Sequence, residues 1–132
     1  MQRVRDYVDK YDIRIVDEKG NVSQLSGGNA QKVIIAREFE NDPALIIASQ
    51  PTRGVDVGSI EFIHTSLLDF RNKGGAVLLV SSELSEVMSL SDRVIVMYKG
   101  GIIGEVDPRK VSREDIGLLM AGAKPKGVEL NA

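Results

Sequence analysis

Short, uninterrupted apolar runs recur along the chain and predict buried strands. Leu45–Ala48, Ala76–Val80 and Val94–Met97 are three such runs. They suit parallel strands that are covered on both faces, because an uninterrupted apolar sequence leaves no side for water. Between them, Ser59–Asn72 and Glu83–Leu90 carry apolar residues at helical spacing. Strands that alternate with helices in this way predict an α/β fold with a parallel sheet and right-handed crossovers.

The patterns on either side of this core predict further elements. The apolar spacing of Gly27–Glu40 predicts a helix that ends near Pro43. The remaining predictions are an exposed helix or helix end at Met1–Tyr11, a hairpin turn at Tyr98–Gly101 into a strand Ile102–Val106, a helix Arg113–Met120 capped by Ser112 with Asp115, and a flexible tail from Gly122.

Two serine-containing pairs directly follow predicted strands. Ser49-Gln50 comes after the first run and Ser81-Ser82 after the second. Ligands in open parallel sheets bind at the carboxyl ends of the strands. We therefore expect both pairs to lie on one rim of the sheet, where a ligand would bind.

Composition narrows the class of protein. The 132 residues include 17 basic and 19 acidic side chains, without a basic block typical of nucleic-acid binding. Cysteine is absent, which excludes disulfides and Cys-ligated metals. No apolar run approaches the roughly 20 residues that cross a bilayer. If the protein serves a membrane, we expect it to act from the aqueous side through a partner.

The segment "LSGGNAQK", Leu25–Lys32, places a serine and two glycines at the start of a predicted helix. The first backbone N–H groups of a helix lack intrahelical partners and attract anions. Gly27 and Gly28 would let a phosphate approach the backbone, and the Ser26 hydroxyl adds a donor. Taken alone, the segment is more typical of an ordinary serine cap before a helix than of an anion site.

Three blocks in order resemble the ATP-binding cassette family of transport ATPases. "LSGGNAQKVIIARE" is similar to the signature loop, with Asn29 where glutamine is more usual. "ALIIASQPTRGVD" resembles the Walker B strand with its Pro-Thr turn and D-loop, and "AVLLVSSELSEV" resembles the switch strand. The wording "PTRGVDVGS" and "IGLLMAG" is similar to the second ATPase domain of tandem importers for sugars and nucleosides. The resemblance covers about Met1 to Gly122.

The resemblance implies a fold and a division of the chain. The fold is a partial P-loop NTPase (RecA-like) parallel sheet with helices, plus part of the helical signature subdomain. We expect residues 1–41 to belong to that subdomain, 42–121 to the C-terminal part of the ATPase core, and 122–132 to a flexible tail. No GxxxxGK[ST] sequence, the Walker A loop, occurs in the chain. Because that loop lies upstream in the family, we expect this chain to be a fragment of a longer protein.

The resemblance also implies roles for individual residues. In the family two ATPase domains dimerise head to tail, and each signature loop completes the partner's ATP site. Ser26, Gly27, Gly28 and Asn29 would thus contact ATP bound by a partner, and Asp56 would be the D-loop aspartate. ATP and Mg²⁺ are the cofactors expected in the intact dimer. A Gly28→Asp change is expected to place a carboxylate against the γ-phosphate.

The chain's own Walker site departs from the family pattern. Ser49 and Gln50 stand where the family has Asp and Glu, and Ser82 stands at the switch histidine. Serine brings no charge to Mg²⁺, and glutamine cannot act as a general base. Glu83 is the nearest carboxylate that could substitute. We predict that this chain alone neither binds ATP tightly nor hydrolyses it, and that it has no metal site of its own.

These residues predict a part of an importer ATPase. Its expected partners are a second ATPase domain, membrane permease subunits and, indirectly, a substrate-binding protein, with no nucleic acid. Its expected place is the cytoplasmic face of the cell membrane. Two alternatives stay open: a non-catalytic regulatory or interaction domain, and a soluble cassette ATPase that acts on ribosomes or DNA. The sequence does not identify the transported substrate.

Overall fold

The computed structural model describes residues 2–15, 17 and 20–126, which contain both helices and strands. The elements are α1 Gln2–Lys10, a short 3-10 helix Val22–Gln24, α2 Gly27–Phe39, β1 Leu45–Ser49, α3 Val57–Asn72, β2 Ala76–Val80, α4 Leu84–Leu90, β3 Val94–Tyr98, β4 Gly101–Val106 and α5 Arg113–Met120. The chain divides into two compact units between Leu78 and Leu79. The sequence-based boundary at residues 41 and 42 stays a prediction.

The first unit is built on the packing of α2 against α3. Its buried apolar residues come from both helices and from the segment after α1: Tyr11, Ile13, Ile35, Ala36, Ile63 and Leu67. The ring of Tyr11 meets Phe62 edge-on at a centroid distance of 6.4 Å, and Phe39 meets Phe70 at 5.3 Å. The predicted helices are confirmed, with α3 beginning two residues earlier than expected.

Strands β1 and β2 are neighbours in a two-stranded parallel sheet, as expected. Their burial differs from the prediction, because it alternates along each strand instead of being continuous. Leu45 and Ile47 are 52% and 65% exposed, and Leu78 and Val80 are about half exposed. The described residues cover only one face of this sheet, and side chains that alternate in direction cannot all be buried on one face.

The second unit contains an antiparallel hairpin. β3 pairs with β4 in the register Val94↔Val106, with an irregularity between Val96 and Met97. The predicted turn is confirmed, since Lys99 and Gly100 both have positive φ, 47° and 81°, as tight hairpins require. The expectation that β3 joins β1 and β2 as a third parallel strand is wrong for the described residues. β3 pairs with β4 across the two-residue turn, in a separate two-stranded sheet.

The hairpin packs against α5, which begins with a complete capping box between Ser112 and Asp115. The core of this unit consists of Val94, Val96, Val106, Ile116 and Leu119. Gly122 ends the helix with a φ of 81°, and a Cβ there would collide with the Tyr98 ring. Of the predicted tail, residues 127–132 lie outside the described residues. In the described ranges no helix is long and apolar enough to cross a membrane.

Candidate functional site

The start of α2 is organised by two polar side chains. Ser26 is the N-cap, and its Oγ accepts from the Asn29 backbone N–H at 3.4 Å. The Asn29 side chain also donates from Nδ2 to Ser26 Oγ, at 3.0 Å. Its Oδ1 accepts from the backbone N–H of Arg14 at 2.9 Å. The loop predicted to contact ATP is therefore tied to the segment after α1.

Three hydrogen-bond donors remain at this loop. Within the part of the chain that the structure describes, the N–H groups of Gly27 and Gly28 donate to no backbone carbonyl. The Ser26 hydroxyl donates to no described acceptor either, and Ser26 and Gly27 are exposed. Two backbone amides and a hydroxyl at the positive end of a helix suit an anion with several acceptor oxygens, such as a phosphate.

Gly28 is buried against the start of α3. A Cβ at this position would lie 2.2 Å from Ser59 Oγ and 2.6 Å from Asp56 Oδ2. The missing side chain thus permits a close approach of α3, while the approach of a phosphate to the Gly28 backbone stays a prediction. The Cβ of Gly28→Asp would point toward α3, and the expected effect of the new carboxylate on a partner's phosphate stays a prediction.

Asp56 caps α3. Its Oδ1 accepts from the Ser59 backbone N–H at 3.0 Å, and its Oδ2 accepts from the Ser59 hydroxyl at 2.8 Å. Both bonds lower the pKa of the Asp56 carboxyl below its ordinary value, and the bond from the Ser59 hydroxyl has the larger effect. The D-loop aspartate thus has a role within its own chain, while contact with a partner stays a prediction. Sequence reasoning missed this cap, although an Asp three residues before a serine is a recognisable signal.

Two further residues of α2 brace the loop. The Gln31 side chain donates to the Pro51 carbonyl at 2.9 Å, which joins α2 to the turn after β1. The ammonium of the buried Lys32 donates to the backbone carbonyl and the carboxylate of Asp12, both at 2.8 Å. It also lies 4.8 Å from the centroid of the Phe62 ring. The sequence carries no local signal for these contacts, because the partners are 20 or more residues apart.

The end of β1 has different chemistry. Ser49 is exposed, and Gln50 adopts a left-handed conformation with a φ of 48°. Neither side chain supplies the anionic oxygen that Mg²⁺ favours. Among the described residues no group of three His, Asp or Glu side chains could hold a metal. The residues at this strand end therefore do not fit a magnesium site, and we derive no catalytic step from them.

The corresponding end of β2 lies in the second unit. Ser81 Oγ accepts from the Glu83 backbone N–H at 3.0 Å, which fixes the turn into α4. Glu83 is the N-cap residue of α4, yet its side chain makes no capping bond, and both Ser82 and Glu83 are exposed. Whether Ser82 or Glu83 takes any part in a nucleotide site stays a prediction.

Comparison with known proteins gives the context of this loop. The guanosine import ATP-binding protein NupO of Bacillus subtilis is 50% identical over 125 residues, which is 95% of this chain and 24% of that protein. The ribose import ATP-binding protein RbsA of Roseobacter denitrificans is 41% identical over 92% of the chain and 24% of its own length. No protein-family model matches the chain. The chain spans about a quarter of the length of these relatives.

The comparison with solved structures finds the same class of protein as the comparison of sequences. A dimeric ATP-binding cassette in a post-hydrolysis state, bound to ADP and Pi, superposes with a TM-score of 0.71. It is 27% identical over 83% of this chain and 47% of its own. Over most of its length the chain is similar to ATP-binding cassette proteins. Its helices and parallel sheet are those of a cassette's P-loop NTPase domain, as predicted.

Proposed function

We propose that this cassette chain is part of the ATP-binding subunit of an importer, and that its Ser26–Asn29 loop completes an ATP site on a partner domain. The observation that carries the proposal is the group of donors at the start of α2. Ser26 Oγ–H and the N–H groups of Gly27 and Gly28 have no acceptor in the described chain. The similarity to import ATP-binding proteins supplies the proposed ligand class, a nucleoside triphosphate.

These donors would act by electrostatic stabilisation. The terminal phosphate of a partner-bound ATP gains negative charge on its oxygens during transfer, and preorganised donors at a helix N-terminus stabilise such charge. Gln31 and Lys32 hold α2 against the Pro51 turn and the Asp12 segment. The donors therefore stay oriented without a cost at the moment of reaction.

We propose that hydrolysis does not take place on this chain's own Walker half. Ser49 and Gln50 offer neither a charged metal ligand nor a general base. Removal of a positioned base commonly lowers the rate about 10²–10⁴-fold. In the intact dimer, Mg²⁺ and the phosphate-binding lysine would come from the partner. The Walker half with Ser49 and Gln50 would then have a regulatory or structural role, while the Ser26–Asn29 loop of the same chain keeps its donors for the partner's site.

The cargo and partners follow from the relatives. The named relatives import guanosine and ribose, so we propose a nucleoside or a sugar as the cargo class. The proposed partners are a second ATPase domain, arranged head to tail, and membrane permease subunits that receive cargo from a substrate-binding protein. The chain would then work at the cytoplasmic face of the membrane as a peripheral subunit.

The test is the ATPase rate of the intact subunit, assembled with its partner domain, after Ser26→Ala. We expect a loss of roughly 10- to 100-fold, because one donor to a charged oxygen is removed. Ser23→Ala is the matched control, since Ser23 lies in the preceding 3-10 helix and outside the donor group. It should leave the rate unchanged. An unchanged rate in Ser26→Ala would contradict the proposal.

A second candidate, a non-catalytic interaction domain, is favoured by the absence of carboxylates at Ser49 and Gln50. The same experiment separates the two. If this candidate is right, ATP hydrolysis by the complex is insensitive to both serine changes, while deletion of residues 27–39 abolishes assembly with the partner.

A further inference from the structure

Ser26 has an unusual hydrogen-bond balance. A serine hydroxyl can accept two hydrogen bonds and donate one. Both acceptor positions of Ser26 Oγ are taken by Asn29, one by its backbone N–H at 3.4 Å and one by Nδ2 at 3.0 Å. Only the donating capacity of the hydroxyl is left, and Ser26 is exposed. An incoming group must therefore be an acceptor in order to bind this hydroxyl.

The orientation of the Asn29 amide is fixed by a third group. Oδ1 accepts from the backbone N–H of Arg14 at 2.9 Å, and that donor cannot rotate away as a side chain can. A flipped amide would point its NH₂ group at the Arg14 N–H and its oxygen at Ser26. The bond from Arg14 therefore keeps Nδ2 directed at Ser26 Oγ.

We infer that Asn29 is a positioning residue that makes Ser26 an obligate donor to a phosphate oxygen. The three bonds form a relay from Arg14 N–H through Asn29 to the Ser26 hydroxyl. Each bond in such a chain polarises the next, which strengthens the outward donation. This inference rests on the proposed function, because the phosphate is that of ATP held by the partner domain. Asn29 itself need not touch the nucleotide.

The relay predicts that the effect of changing Asn29 depends on the presence of the Ser26 hydroxyl. Asn29→Ala frees an acceptor position on Ser26 Oγ, so that the hydroxyl no longer has a single role. We expect kcat/KM for ATP in the intact, assembled subunit to fall about 10-fold, the effect of one ordinary hydrogen bond. In a Ser26→Ala background the same change should have no further effect, because its only route to the phosphate is gone.

The experiment is a double-mutant cycle on Ser26 and Asn29, with kcat and KM measured separately. Asn41→Ala is the matched control, since Asn41 donates to the Arg37 carbonyl at the other end of α2. It should leave both constants unchanged. Asn29→Asp keeps the bond from Arg14 and the side-chain shape, and covers the case in which Asn29→Ala does not fold. It should be at least as impaired, since its Oδ2 would draw the hydroxyl inward.

The outcomes separate this inference from the proposed function. Full loss of the Asn29 effect in the Ser26→Ala background supports the relay. Two results would overturn the relay and leave the proposed function standing. One is that the effects of the two changes on kcat/KM are additive. The other is that the Asn29→Ala variant has the wild-type rate while Ser26→Ala is impaired. A Ser26→Ala variant with the wild-type rate overturns both.

Discussion

Two regions of this chain would lie near nucleotide in the proposed assembly, and they differ in structure. One is the Ser26–Asn29 loop, and the other is the end of β1. The loop keeps three hydrogen-bond donors. It is held in place by hydrogen bonds in which Arg14, Gln31 and Lys32 are the donors. The strand end has Ser49 and Gln50 where the family carries two acids. A chain that serves only a partner's site needs donors in a fixed place and needs no carboxylates. The difference between the two ends is thus the physical basis of the proposed division of labour.

The largest expected effect comes from Gly28→Ala. The added Cβ would lie 2.2 Å from Ser59 Oγ and 2.9 Å from Ser59 Cβ, so α2 and α3 must separate. We expect the free energy of unfolding to fall by about 2–3 kcal/mol, the upper range for overpacking. Urea denaturation followed by circular dichroism measures it.

The control for this prediction is Gly27→Ala. Its Cβ would meet only the Gly54 carbonyl oxygen, at 3.1 Å. The gain in helix propensity, about 1 kcal/mol, offsets this mild crowding. Adding Ser59→Gly to Gly28→Ala should recover part of the lost stability. If Gly28→Ala is as stable as Gly27→Ala, the loop is not seated on α3 in this way.

A smaller effect is expected from Ser59→Ala. The change removes the hydroxyl that donates to Asp56 at 2.8 Å, so the free energy of unfolding should fall, but by less than in Gly28→Ala. The pKa of Asp56 should rise toward its ordinary value, which carboxyl NMR can follow. Ser66→Ala is the matched control on the same helix, because Ser66 donates only to the Phe62 carbonyl one turn back. It should change neither stability nor the pKa of Asp56.

The pH dependence of this effect has a definite sign. The folded state lowers the pKa of Asp56, so the ionised carboxylate stabilises the fold above the unfolded pKa of about 3.9. That stabilisation is lost as the pH falls through the lower, folded pKa. The stability difference between wild type and Ser59→Ala should therefore be full near pH 6 and shrink below about pH 4. A difference that grows on acidification would contradict this account.

Local signals in the sequence predicted much of the fold. The bounds of α2, α3, α4 and α5 agree with the apolar spacing to within two residues. The hairpin turn at Lys99-Gly100 and the capping box at Ser112 were predicted because their chemistry lies within four residues of sequence. Such features depend on the chain's own neighbours, and a single sequence contains all of that information.

Features that depend on distant partners were not predictable in the same way. The apolar run of β1 indicated burial on both faces, whereas Ile47 is 65% exposed, because the cover of a sheet comes from other segments. The seat of Gly28 on Ser59 and the bond from Gln31 to Pro51 join segments 20 or more residues apart. The sequence identified the loop by its resemblance to a family, but its supports are visible only in the fold.

The smallest expected effect comes from restoring the family's acids with Ser49→Asp and Gln50→Glu. Glutamate has the same backbone cost as glutamine at the left-handed φ of 48°, and Ser49 is exposed. The Ser49→Asp change alone should therefore alter the free energy of unfolding by no more than about 0.5 kcal/mol. In the intact complex the ATPase rate should rise less than about threefold, because under the proposal turnover takes place in the partner's site. A rise of tenfold or more, about 1.4 kcal/mol in activation free energy, would mean that the end of β1 limits turnover. The donors at Ser26 and the lost acids at Ser49 and Gln50 would then not serve separate sites.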